Sequence, residues 1–187
     1  MTIRLRGPHV TLRPFREGDF TALWAEETVD RGPFQAPVPA DDAYRERLRT
    51  RLEASGAWNR SELILAIECD GVLAGDVQVR RDDETMPPGL FDLGIGVFRS
   101  ARGRGFGTEA LSLLSDFLFE EEHANRVQLS TDVDNAAMRR SAEKAGFTFE
   151  GVLRAFWPVG DGTARDYVMY ARTRNDHERS DRWIPAS

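Results

Sequence analysis

The sequence predicts an α+β or α/β domain with a mixed sheet. Three observations predict it. Short β-type runs crowd the first half. The second half reads strand, helix, strand, helix, strand, strand. The length, 187 residues, is that of one domain with a sizeable core, so residues 1–187 are read as a single unit.

Val10-Thr11-Leu12-Arg13 alternates and is followed by Pro14, which suits a short edge strand. Asp19 is placed as the N-cap of a helix carrying Phe20, Leu23 and Trp24 on one face. Pro33, Pro37 and Pro39 predict a loop. A second helix begins at Asp41 or Asp42, repeats Tyr44, Leu48 and Leu52 along one face, and ends at Ser55-Gly56. Leu63–Ile67 is a strand, Asp70-Gly71 a two-residue hairpin turn, and Val72–Arg80 the returning strand. After the Met86–Gly89 loop, Phe91–Val97 is a third run, and Gly94 and Gly96 within it predict a bulge or a close backbone approach. Thr108–Glu122 is a helix with Leu111, Leu114, Phe117 and Leu118 as its apolar stripe, and Val127–Val133 is a strand. Asn135–Ala145 is a helix capped by Asn135 and stopped by Gly146. Phe147–Phe149 and Tyr167–Tyr170 close the fold as strands.

Composition limits the partners. The net charge of −6 and pI near 5.2 argue against a nucleic-acid partner, which needs a basic footprint. The lone Cys69 excludes an internal disulfide and a cysteine metal cluster, and His9, His123 and His177 lack metal-ligand spacing. No metal is expected. No apolar run is long enough to span a membrane, and Met1–Arg6 lacks the apolar core of a signal peptide. The expectation is a cytoplasmic protein, monomeric or homodimeric, with no membrane partner.

The segment richest in chemistry is Arg99-Ser100-Ala101-Arg102-Gly103-Arg104-Gly105-Phe106-Gly107-Thr108, between a predicted strand and a predicted helix. A helix N-terminus offers unpaired N–H groups and the positive end of the macrodipole, glycines let an anion approach, and arginines add donors. A nucleotide P-loop would need Gly-Lys-Ser/Thr, which is absent. A dinucleotide fingerprint would need a third glycine where Thr108 stands. A glycine-rich turn with solvated arginines is the bland alternative.

Arg102-Gly103-Arg104-Gly105-Phe106-Gly107 resembles the Arg/Gln-x-x-Gly-x-Gly/Ala signature of the GNAT superfamily of acyl-CoA-dependent N-acyltransferases. Thr108-Glu109-Ala110, Asp134-Asn135 through Glu143-Lys144-Ala145-Gly146-Phe147, Glu150–Arg154 and Arg165–Tyr170 are similar to that family as well. With Val10–Phe15 they look like its Rim-type branch, named for ribosomal-protein N-terminal acetyltransferases, and the likeness runs over nearly the whole chain. The resemblance implies a GNAT fold with a splayed central sheet and acetyl-CoA as acetyl donor. It assigns residues 1–90 mainly to the acceptor side, 91–154 to the cofactor core and 155–187 to closing strands and tail.

By that resemblance Arg102, Gly103, Arg104, Gly105, Phe106, Gly107 and Thr108 would hold the pyrophosphate of coenzyme A. Val97, Phe98 and Arg99 would line the mouth beside a splayed strand whose bulge falls at Gly94 and Gly96. Asn135, also a helix cap, would meet the pantetheine arm. Lys144 would meet the 3′-phosphate region and Arg139, on the same helix, would also contact the cofactor; the alternative is a solvated helix face on which Arg139 pairs with Glu143. The backbone N–H near Ile95–Val97 would polarise the thioester carbonyl.

Catalytic groups are harder to read. Many relatives carry a tyrosine as proton donor where this chain has Ala142, and Ser141 is the one helix candidate for that role. Ser130 stands where some relatives have a glutamate base, with Asp76, Asp92 and Asp132 as alternatives. An α-amine, with pKa about 7.7–8.0, dispenses with a strong base more easily than a lysine near 10.4. The expected acceptor is therefore a protein N-terminal α-amine or a small-molecule amine. A non-catalytic acyl-CoA-binding sensor is the alternative. Trp58, Trp157 and Tyr44 are candidates for the acceptor pocket, Trp157 foremost. Residues 1–98 carry 12 arginines against 17 acids, which favours a cationic acceptor there.

Overall fold

The computed structural model describes residues 2–28, 34, 41–81, 84–159 and 162–181. Its strands are β1 (Leu5–Arg6), β2 (Val10–Arg13), β3 (Glu62–Cys69), β4 (Val72–Arg80), β5 (Leu90–Val97), β6 (Arg126–Asp132), β7 (Thr148–Pro158) and β8 (Ala164–Thr173). Its helices are α1 (Asp19–Thr28), α2 (Asp42–Glu53), α3 (Phe106–Glu120), α4 (Ala136–Lys144) and α5 (Arg174–Asp181). All eight strands form one mixed sheet in the order β1-β2-β3-β4-β5-β6-β8-β7.

Side-chain alternation divides the sheet into two faces. Phe91 and Leu93 of β5 and Val127 and Leu129 of β6 share a core with Leu111, Leu114 and Leu118 of α3, all nearly sealed from solvent. The other face takes α1 and α2. There Arg51 of α2 donates to Glu62 at 2.6 and 2.9 Å and to Gln78 at 2.8 Å. Arg13, 1% exposed, ties three elements together on this side. It donates from Nη1 to Asp19 of α1 at 2.6 Å and from Nε to Glu68 of β3 at 2.6 Å.

The predicted Asp70-Gly71 turn joins β3 to β4, with both residues at positive φ. Asp41 caps α2 by accepting from Tyr44 N, and Asn135 caps α4 by accepting from Met138 N. Gly146 follows α4 at φ +85°.

Several expectations are corrected. β2 is not an edge strand, because the two-residue β1 pairs outside it. Asp19 opens α1, but its carboxylate is committed to Arg13 and to the backbone N–H of Arg16. β5 has no bulge against β4: Gly94 and Gly96 stand in unbroken register with Gln78 and Asp76. α3 starts and stops two residues earlier than predicted. β7 and β8 run to 11 and 10 residues, far beyond Phe147–Phe149 and Tyr167–Tyr170. Neither β1 nor α5 was predicted. The Pro33, Pro37 and Pro39 loop lies outside the described residues, apart from Phe34.

Candidate active site

The site starts from a parting of two strands. β5 and β6 pair in parallel only at Leu90 with Arg126, Phe91 with Val127, and Asp92 with Gln128. Beyond those pairs β5 keeps its partner β4, and β6 keeps its partner β8. The splay therefore comes from ended pairing rather than from a bulge.

A cleft of about 500 Å³ opens at this parting. Ile95 and Val97 of β5 form one wall, and Asn135, Met138, Ser141 and Lys144 of α4 form the other. The floor is the turn that starts α3. Gly105 is the N-cap of α3 at φ +86° and has no side chain to offer, so the first-turn N–H groups lack any side-chain cap. Gly103 also has positive φ, and a Cβ at either glycine would project into open space. Gly107 serves differently: a Cβ there would sit 3.3 Å from Val97 Cγ2, so its bareness lets helix and strand close up.

The loop is braced from three directions. Glu26 of α1 accepts from the backbone N–H of Arg99 at 2.7 Å. Arg102 folds back, donating from Nε to the Val97 carbonyl at 2.9 Å. Glu109, in the first turn of α3, accepts from the N–H groups of His9 and Val10, both at 2.8 Å. Burial pushes the Glu109 carboxyl up, but these hydrogen bonds outweigh it and hold its pKa below the ordinary value.

Of the residues the sequence singled out, Val97, Arg102, Gly103, Gly105, Phe106, Gly107, Thr108, Asn135, Ser141 and Lys144 line the cleft together. Phe98, Arg99, Arg104 and Arg139 do not line it. Phe98 packs into the core, and its N–H donates to Ala74 O. Arg99 is exposed on a single 3-10 turn. Arg104 lies 4.6 Å over the Phe106 ring. Arg139 is tied off by the Val133 carbonyl at 3.0 Å and the Tyr170 hydroxyl at 3.4 Å. Lys144 makes no ion pair with a described residue. Ser141 donates its hydroxyl to the Ala137 carbonyl at 3.1 Å, and Ala142 is sealed in the core.

Phe34 and Ala137 also line the cleft and were not foreseen. Ala137 is in reach of helical periodicity from Asn135 and Ser141. Phe34 carries no local signal, because it is distant in sequence from every other residue that lines the cleft.

The candidate bases are all engaged. Asp92 pairs with Arg80 at 3.0 Å, Asp132 pairs with Arg165 at 2.8 Å, and Asp76 accepts from Gln78 at 2.8 Å. Ser130, on β6, faces Met169 across the β6–β8 pairing. Trp58 lies away from the cleft, donating to Glu122 just past the far end of α3. Tyr44, in the first turn of α2, packs against Trp24 of α1, and Trp157 stacks on Tyr167.

Among the described residues no three His, Cys, Asp or Glu side chains are grouped to hold a metal ion, and no helix is long and apolar enough to cross a membrane.

Comparison with known proteins gives concordant matches. The family description "Acetyltransferase (GNAT) domain" matches residues 9–148. The Probable N-acetyltransferase YjcK of Bacillus subtilis is 26% identical over 184 residues, covering 94% of this chain and 99% of YjcK. Two solved structures share the fold. RimL, a ribosomal L7/L12 α-N-protein acetyltransferase in complex with coenzyme A, has TM-score 0.76 and 18% identity over 93% of this chain and 99% of its own. Mycobacterium smegmatis RimJ in complex with CoA-disulfide has TM-score 0.74 and 24% identity over 100% of this chain and 90% of its own.

Proposed function

The chain belongs to the GNAT acetyltransferase family, and from that premise we propose that it acetylates a free α-amine, on a protein N-terminus or an amino-acid-like small molecule. Membership makes it an acetyl-CoA-dependent N-acetyltransferase. The choice of amine and the residue roles are our reading. The observation that carries it is the cleft opened between β5 and β6 beside a helix N-terminus without a side-chain cap.

The residues present fit the cofactor. First-turn N–H groups of α3 and the bare faces of Gly103 and Gly105 suit a pyrophosphate. Arg102, Arg140 and Lys144 add positive charge around the same cleft, with Arg104 beside it. The parting of β5 and β6 is a slot for a narrow arm, with Asn135 at its side. Acetyl-CoA, when bound, supplies an activated thioester. A backbone N–H of Ile95–Val97 would donate to the thioester carbonyl, and the Ser141 hydroxyl, which donates to the Ala137 carbonyl in the free protein, would relay the proton shed by the acylated amine to the departing thiolate. Phe98, Arg99 and Arg139 support the walls from behind.

The acceptor follows from proton chemistry. Asp92 and Asp132 are held in ion pairs and Asp76 in a hydrogen bond, and none of the three lines the cleft where the amine would react. Without a strong base, an amine that is already partly neutral reacts: an α-amine near pKa 7.7–8.0 qualifies, and a lysine near 10.4 does not. RimL, which shares the fold, is described as an α-N-protein acetyltransferase. Thiol release from acetyl-CoA should accompany addition of peptides with free N-termini and stay at background with Nα-blocked lysine peptides. Turnover confined to the blocked lysine peptides would refute the proposal.

A further inference from the structure

We propose that the acceptor subsite selects an amine whose neighbouring group is a flat aromatic ring, stacked against Trp157 and Tyr167. This rests on the α-amine reading above and names the class of acceptor within it.

The subsite touches the cleft through Phe34. Phe34 lines the cleft, and the guanidinium of Arg165 lies 5.8 Å from its ring centroid. Arg165 is paired in register with Trp157 across β7 and β8. Arg165, Tyr167 and Met169 alternate onto one face of β8, the face opposite the α3 core. Trp157 stacks on Tyr167 with centroids 5.9 Å apart and planes 20° from parallel. Phe156 meets the same Tyr167 ring at 5.3 Å.

Consecutive strand residues ordinarily point to opposite faces, so Phe156 and Trp157 should not share one neighbour. A bulge between Leu153 and Trp157 makes it possible. Within it Ala155 takes φ +51°, a conformation unfavourable for any residue with a Cβ, and its N–H is fixed by Asp166 Oδ1 at 2.7 Å. Strain of this kind, which re-aims side chains onto one ring, points to function.

The chemistry of the wall is aromatic and nearly neutral. The charge of Arg165 is answered by Asp132 at 2.8 Å, so the patch does not call for an anion. Burial, then the nearby Asp132 charge, pushes the Tyr167 phenol up, so the ring stays uncharged. Trp157 remains 43% exposed and Phe156 46%, which leaves ring surface for an incoming group.

The test uses dipeptide amides that differ only in the first side chain, with initial rates measured at saturating acetyl-CoA. KM for Phe, Tyr and Trp at that position should be about tenfold lower than for Ala, Ser or Lys, with similar kcat. Trp157→Ala should reduce the ratio to about twofold by raising KM for the aromatic acceptors. Trp157→Phe should restore most of it. Equal KM values across the panel, or a preference that survives Trp157→Ala, would overturn the inference. Should no dipeptide turn over, the α-amine reading fails, and calorimetry with N-acetyl-phenylalanine amide decides the subsite alone. Binding that is lost in Trp157→Ala supports it, and no binding to the unaltered protein sinks it.

Discussion

Replacing Gly105 by valine separates what the glycine-rich turn does for the fold from what it does for the cofactor. Gly105 has φ +86° and ψ −8°, and a Cβ there meets no atom within 4 Å. The cost to the free protein is therefore conformational, roughly 1–2 kcal/mol for a left-handed L-residue. For a chain of this size that lowers Tm by roughly 2–8 °C. The added side chain also projects into the cleft and keeps a phosphate off the first-turn amides. Losing two charge-assisted hydrogen bonds forfeits roughly 3–6 kcal/mol, so Kd for acetyl-CoA should rise about 10²–10⁴-fold. Gly71→Ala is the control, since Gly71 has φ +78°, equally open surroundings, and a place in the distant β3–β4 turn. It should lower Tm comparably and leave affinity alone. Calorimetric titration well below both melting points reads the affinities, and a thermal melt without ligand reads the stabilities. Near-normal affinity in Gly105→Val, or an equal loss in Gly71→Ala, would refute the reasoning.

Three further outcomes are expected. Arg13→Met should destabilise the fold by roughly 3–5 kcal/mol, read from urea unfolding, because it strips the largely buried Asp19 carboxylate of its ion pair and leaves Glu68 with Arg16 alone; a loss below about 1 kcal/mol would mean the pair is better solvated than the geometry implies. Glu109→Gln should destabilise at neutral pH, and its difference from the unaltered protein should shrink on acidification. The folded carboxyl lies below its ordinary 4.5, so its contribution is full above that value and fades as pH falls through the lower folded one. Denaturation midpoints between about pH 3 and 7 check this sign, and a difference that grows in acid contradicts it. Ser141→Ala should lower kcat about 10²-fold with unchanged affinity for acetyl-CoA, and an unaltered kcat would remove Ser141 from the reaction.

What the sequence reveals follows from how local each signal is. The run from α3 through α4 was legible to within two residues, because Leu111, Leu114 and Leu118 repeat at helical spacing and Asn135 and Gly146 mark the ends of α4. The same block carries most residues that meet in the cleft. β7 was not legible at its true length: Gly151 and the Ala155 bulge break its alternation, and most of its side chains are exposed. α5 is polar on every side in sequence, yet it docks through one buried residue, His177, stacked 5.0 Å from Phe119. Arg139 and Lys144 looked equivalent as cations on one helix, but Arg139 is consumed by Tyr170 and Val133, contacts made across more than the helix itself. Phe34 shows the limit most plainly, since only the tertiary fold brings it to the cleft.

The parting of β5 from β6 has a further consequence. A row of backbone donors and acceptors without a neighbouring strand normally lies at the rim of a sheet, where it invites pairing with another chain. Here such a row is held in the middle, with five strands on one side and three on the other. Residues of α3 and α4 flank it, so the row faces a cleft of about 500 Å³ rather than open solvent. A slender molecule bearing its own amides can enter and complete the hydrogen-bond ladder. The fold thus keeps an interior edge, hazardous if bared at a rim, as the lining of a binding cleft.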